Sequence, residues 1–158
     1  MKRVYKTKEK RKLNPGESHS FFILKTIVLP DGAEYFVLCD SHGEKHLLPV
    51  CYYKDYPIII NQYYNCHVDK INCQGRIFLE PVHPYYKIGR TYIFISVEIV
   101  SLKSKKRNEN LYFKVSGESG GYAFLRKKES DDFEVNKSLT CKVIKLKKGK
   151  VFVERVEK

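Results

Sequence analysis

Along much of the chain apolar and polar residues alternate with a period of two. Tyr92-Ile93-Phe94-Ile95-Ser96-Val97 and Leu111-Tyr112-Phe113-Lys114-Val115-Ser116 are the clearest runs, and such alternation marks a strand with one buried face. Turn-forming groups interrupt the runs at Pro30-Asp31-Gly32, Ser41-His42-Gly43-Glu44, Gly120-Gly121 and Lys147-Lys148-Gly149. No window sustains a helical period, and the helical candidates are two short segments, residues 50–56 and 126–132. The pattern predicts an all-β chain of short strands.

The chain also repeats itself, and a repeat fixes architecture. Residues 61–71, from Asn61 through Cys66 and Val68, lie over residues 136–146, from Asn136 through Cys141 and Val143, at an offset of 75. Gly75-Arg76-Ile77-Phe78-Leu79-Glu80 lies over Gly149-Lys150-Val151-Phe152-Val153-Glu154 at 74. The one-residue slip falls in a turn, where a deletion costs least. Upstream, Glu34-Tyr35-Phe36-Val37-Leu38 lies over Leu111-Tyr112-Phe113-Lys114-Val115 at 77, and Gly43 and Leu47-Leu48 meet Gly120 and Phe124-Leu125 at that offset. Ser20-Phe21-Phe22-Ile23-Leu24 is set over Thr91-Tyr92-Ile93-Phe94-Ile95.

Each copy then holds five strands with a helical candidate after the third, the order of an OB barrel. An SH3-like barrel has a similar strand count without that helix. The expected fold is two consecutive small five-stranded OB-type barrels with short helices, residues 16–84 and 85–158, behind a flexible basic N-terminal arm, residues 1–15. Pro81-Val82-His83-Pro84-Tyr85-Tyr86-Lys87-Ile88-Gly89 reads as a short, stiff connector.

Charge separates the parts. The 158 residues carry a net +12. Residues 1–12 hold seven bases and one acid, residues 13–85 five bases and eight acids, and residues 86–158 eighteen bases and nine acids. The segments are thus +6, −3 and +9, which points to a polyanion for the arm and the second copy. With 42% apolar residues the chain can build a core, which argues against wholesale disorder. No apolar run approaches the ~20 residues of a membrane helix, and Met1-Lys2-Arg3 opens no apolar leader.

Five cysteines, an odd number, read as reduced small apolar residues in a cytoplasmic protein. A zinc site from Cys66, His67 and Cys73 is the sharper alternative, but no C-x-x-C pair accompanies it. No metal and no cofactor are expected. Walker, G-x-S-x-G and H-E-x-x-H motifs are missing. Asp131-Asp132 offers a carboxylate pair of the kind a nuclease uses to hold metal, but it reads more simply as helix-end or loop acids, so no enzyme is expected.

The pattern resembles the ribosomal S-one type of RNA-binding OB domain. The likeness lies in Tyr35-Phe36 and Tyr112-Phe113 of strand two, in strand three from Gly43 to Pro49 and from Gly120 to Leu125, and in the closing Gly75-Arg76-Ile77-Phe78-Leu79 and Gly149-Lys150-Val151-Phe152-Val153. The resemblance covers residues 18–81 and 89–155 and implies a non-catalytic partner of single-stranded RNA.

Strand parity points the same way. Leu111, Phe113, Val115, Ala123 and Leu125 are expected inward, leaving Tyr112, Lys114, Tyr122, Phe124 and Arg126 outward. Rings with a cationic rim suit single-stranded RNA or DNA, since bases stack on rings while cations meet phosphates. The loop of Lys103, Lys105, Lys106 and Arg107 would extend the track, as would Lys145, Lys147, Lys148 and Lys150 of the last hairpin. Those outward rings have an alternative use, packing between the copies. In the first copy Tyr35 and Lys45, with Leu47, form a poorer platform, and His46 reads as a core or rim histidine. Tyr52, Tyr53 and Tyr56 are expected on the surface as a seat for a protein partner. The competing function is a protein–protein interaction adaptor.

Overall fold

The computed structural model describes residues 13–103, 109–128, 131–132 and 134–156. These form ten strands: β1 Ser18–Val28, β2 Glu34–Cys39, β3 Lys45–Pro49, β4 Tyr63–Ile71, β5 Ile77–Pro81, β6 Thr91–Lys103, β7 Glu109–Gly117, β8 Tyr122–Arg126, β9 Ser138–Lys147 and β10 Lys150–Arg155. The chain divides into two units between Val82 and His83, two residues before the predicted boundary. Each unit holds five strands. No helix long and apolar enough to cross a membrane occurs among the described residues.

In the second unit β6 pairs antiparallel with β7 and β9, β7 with β8, and β9 with β10. β8 and β10 then run parallel side by side, so the ring of strands closes. The first unit keeps the same neighbours in the order β3-β2-β1-β4-β5, but β3 and β5 approach without forming a ladder. Both of those strands end in proline, Pro49 and Pro81, and proline has no N–H to give.

The long first strand of each unit serves both halves of its sheet. β1 pairs with β4 through residues 18–22 and with β2 through residues 22–28, with a register shift between Ile23 and Lys25. β6 repeats the device with a shift between Ser96 and Glu98. A bulge raises the local twist and carries the strand around the core.

The two units agree in detail. Gly16 and Gly89 enter them with φ of 86° and 88°. Gly16 N donates to the Val68 carbonyl and Gly89 N to that of Val143, both at 2.8 Å. Three residues before these glycines, Leu13 and Tyr86 are each buried in their own core. Leu13 therefore belongs to the first unit and not to the arm, whose residues 1–12 lie outside those described. Ser18 and Phe22 face His67 and Tyr63 on β4, as Thr91 and Ile95 face Lys142 and Ser138 on β9. The first strands thus correspond at an offset of 73. The predicted match of Ser20 to Thr91 is two residues out, a slip that leaves every side chain on its proper face.

Phe21, Ile23, Phe36, Leu38 and Val68 centre one core, and Phe94, Phe113, Val115, Val143 and Val151 the other. Where the first unit buries Ile23, the second buries Ser96. Its Oγ accepts the N–H of Lys137 at 2.9 Å and donates to the Glu134 carbonyl, so the buried hydroxyl is satisfied. The thiols of Cys66 and Cys141 are buried, which raises their pKa to about 12 and about 11.

The predicted short helices do not occur among the described residues. In residues 50–56 Tyr53 N donates to the Val50 carbonyl at 3.0 Å and Tyr56 N to that of Tyr53 at 3.1 Å, giving consecutive turns. Tyr53 itself is not on the surface. It is buried, and its hydroxyl donates to Glu80 Oε1 at 3.2 Å; burial first, then the Glu80 carboxylate, pushes its pKa well up. That anchor draws the segment into the core and replaces helical continuation. Tyr52 is exposed and Tyr56 half-buried. At the second site Arg126 ends β8, and Lys127 N prolongs the β7 pairing by donating to the Leu111 carbonyl at 2.9 Å. Asp131 bonds back to Lys128, its Oδ2 accepting from Lys128 N at 2.9 Å and its N–H donating to the Lys128 carbonyl at 3.0 Å.

Candidate nucleic-acid interface

The outer face of the second unit is ordered by its ladders. Glu98 pairs with Lys114, Lys114 with Phe124, Phe124 with Phe152 and Phe152 with Lys145. One row of side chains therefore crosses all five strands, two aromatic rings in the middle with a lysine at either side and Glu98 at one end. The parallel β8–β10 pair sets the two phenylalanines side by side, their ring centres 6.0 Å apart.

Tyr112, two pairs along β7 and on the same face, meets both rings. Its centre is 6.5 Å from Phe124 and 5.9 Å from Phe152, edge to face. Tyr122 stands at the other end of β8, exposed, with Lys114 Nζ 4.0 Å from its ring centre. That lysine also lies 3.5 Å from Glu98 Oε1. Lys145 Nζ is 5.9 Å from the Phe152 ring centre. Tyr112, Phe124 and Phe152 are half-buried, seated in the sheet with part of each ring open to solvent. Edge-to-face packing fixes the rings relative to one another, and the ammonium groups sit where ring quadrupoles attract them.

Five predicted outward residues come together here. Tyr112, Lys114, Tyr122, Phe124 and Arg126 share one face, Arg126 exposed opposite Tyr112. Lys147 continues that face beyond Lys145, and Lys148 occupies the turn with φ 51°. Lys103 stands exposed at the end of β6, three pairs beyond Val100–Tyr112, away from the row. Lys105, Lys106 and Arg107 lie outside the described residues. Phe113, Val115, Ala123 and Leu125 are buried as expected. Leu111, expected inward, is 47% exposed, because β7 runs past the end of the core there.

Phe152 is the ring that strand-two and strand-three reasoning leaves out. Val151-Phe152-Val153 alternates, with both valines buried, so parity alone would have assigned Phe152 to the outer face. Its place beside Phe124 needs the β8–β10 pairing, which joins residues 28 apart in sequence.

The first unit does not assemble the corresponding platform. Tyr35 is half-buried opposite Pro49, and Lys45 is exposed opposite Cys39. Between them lie Val37, which is buried, and Leu47. Four residues of extended strand separate Tyr35 from the Cys39–Lys45 pair, roughly 13 Å.

His46 is a core histidine. Its Nε2 is 2.9 Å from Asp40 Oδ2, and its ring packs edge-on against Phe21 at 5.9 Å. The other carboxylate oxygen accepts the N–H groups of His42 at 2.8 Å and Glu44 at 3.0 Å. Burial opposes ionisation of Asp40, but His46 and these amides outweigh it, and its pKa lies below the usual aspartate value. Asp40, Glu44 and His46 are the one group among the described residues whose ligand atoms converge as a cation would need. The bonds just named engage the Asp40 carboxylate as the clamp of the β2–β3 turn. Cys66 is buried while Cys73 is exposed in the β4–β5 turn.

Neither protein-family models nor curated protein sequences match this chain.

Proposed function

We propose that the protein binds single-stranded nucleic acid, RNA foremost, without catalysing a reaction, and that each unit is an OB-type barrel resembling the S-one domain. The strand neighbours support the fold assignment. Numbered within the second unit they run 1-2-3-5-4-1, with parallel third and fifth strands, the five-stranded Greek-key arrangement whose second and third strands carry oligonucleotides. The observation that carries the function is the row Lys114–Phe124–Phe152–Lys145 with Tyr112 against both rings. Bases would stack on Phe124, Phe152 and Tyr112, while Lys114, Arg126, Lys145 and Lys147 meet the phosphates. The basic arm would add contacts indifferent to sequence.

Fluorescence anisotropy with single-stranded RNA, single-stranded DNA and a duplex, each at two salt concentrations, tests the proposal. The single strands should bind more tightly than the duplex, and all binding should weaken with salt. The adaptor reading draws on a different surface, the exposed Ile93, Ile95 and Val97 along one side of β6. Failure of every nucleic acid to bind would favour it.

A further inference from the structure

Phe78 is the first unit's counterpart of Phe152, and the same hairpin irregularity places it. In β4–β5 the register shifts between Val68 and Lys70, so that Lys70 faces Phe78. In β9–β10 the corresponding shift lets Lys145 face Phe152. Phe78 carries more cation than its counterpart. Lys70 Nζ and the Arg76 guanidinium carbon each lie 4.9 Å from its ring centre. The ring is half-buried, and both cationic residues are exposed.

Residues 13–85 are acidic on balance, yet two of their five bases meet at this one ring. The positions corresponding to Lys114 and Phe124 hold Val37 and Leu47. The first unit thus lacks the middle of the row and keeps its β4–β5 end, with Arg76 at the position of Lys150. A ring stacks a base while cations beside it meet the phosphates. A guanidinium adds a flat surface on which a base also stacks.

We propose that Phe78, Lys70 and Arg76 form a second, single-base subsite for single-stranded nucleic acid, with the base on Phe78 and phosphates at Lys70 and Arg76. The proposal rests on the nucleic-acid reading of the second unit and replaces Tyr35 and Lys45 as the first unit's binding element.

The test titrates the whole chain with a uridine hexamer and reads stoichiometry by native mass spectrometry and affinity by anisotropy at low salt. The wild-type chain should take two hexamers, one more weakly. Phe78→Leu keeps apolar cover but removes the aromatic face, and should weaken the second event about five-fold or more, while Phe78→Tyr restores it. Phe152→Leu should instead weaken the tighter event. Should Phe78→Leu fail to fold, Lys70→Gln with Arg76→Gln, at exposed positions, should produce the same loss. One hexamer per chain, weakened by Phe152→Leu and indifferent to Phe78→Leu or the double variant, overturns the subsite and leaves the second unit's role standing. No hexamer bound at all overturns both.

Discussion

Asn61 and Asn136, 75 residues apart, each donate the same hydrogen bond to the first strand of their unit, and the residue after each accepts one back. Both take left-handed backbone, with φ of 68° and 62°. Asn61 N donates to the Ile23 carbonyl at 2.7 Å, and Ile23 N returns a bond to Gln62 at 2.9 Å. Asn136 N donates to Ser96 at 2.8 Å, and Ser96 N returns one to Lys137 at 3.0 Å. Each asparagine therefore ties the start of its fourth strand to the first strand beside the bulge. Left-handed backbone costs an ordinary L-residue about 1–2 kcal/mol, less for asparagine and nothing for glycine. Asn136→Ala should lose about 1 kcal/mol, a fall in melting temperature of about 4–8 °C for a unit of this size, and Asn136→Gly should lose far less. Thermal denaturation of both variants checks this. Equal losses would mean that the side chain, and not its backbone conformation, matters.

Gly117 is required by its neighbour. A Cβ there would lie 1.9 Å from the Tyr86 hydroxyl and 2.9 Å from the ring carbon bearing it. Tyr86 is buried against Phe94 and donates to the Gly120 carbonyl at 2.8 Å. Gly117→Ala must displace that ring, at a cost of about 1–3 kcal/mol. Tyr86→Phe removes the atom in closest conflict, so the double variant should be less destabilised than the sum of the singles. A double-mutant cycle by urea denaturation measures the coupling. Additive costs would show that the two residues do not meet.

His83 acts as an acceptor in the entry to the second unit. Its Nδ1 accepts the N–H groups of Tyr85 at 3.1 Å and Tyr86 at 3.2 Å, which requires an unprotonated Nδ1. Burial lowers its pKa below the ordinary 6.5. Between that lowered value and 6.5 the unfolded chain holds a proton that the folded one does not, so stability rises with pH across this window. The contribution is complete above 6.5, shrinks as pH falls, and levels off below the folded pKa. Urea midpoints at several pH values, compared with His83→Asn, isolate it, since an asparagine oxygen can accept without titrating. The variant should lose less stability on acidification than the wild type.

Features carried by period-two alternation were legible without coordinates. The strands, the five outward residues of β7 and β8, and the turn glycines Gly43 and Gly120 all follow from local rules. Slips that preserve parity are invisible to such rules, which is why the first strands matched two residues out. Tyr53 reads locally as a surface tyrosine, and only the distant Glu80 makes it a core residue. Phe152 escaped for a related reason: its partner Phe124 is reached through a parallel pairing with no signature in either strand. Val37 and Leu47 were readable as aliphatic, but their effect, the separation of Tyr35 from Lys45, appears only with the β2–β3 register.

Rings and lysines of the second unit should be separable by salt. Stacking is insensitive to counterions, whereas each phosphate contact to a single strand contributes about 0.7 to the slope of log affinity against log salt. Phe152→Ala removes the ring beside Phe124 and Tyr112, and should lower affinity for a single strand by about 1–3 kcal/mol at every salt concentration with the slope unchanged. Lys145→Gln combined with Lys147→Gln leaves the three rings in place. That variant should flatten the slope by up to about 1.4 and lose most of its deficit at high salt, where the wild type has already lost the same contacts. Anisotropy titrations over a tenfold salt range distinguish the two. If Phe152→Ala flattened the slope and the lysine pair left it unchanged, the division into stacking rings and phosphate-binding cations would be wrong, even for a protein that binds nucleic acid tightly.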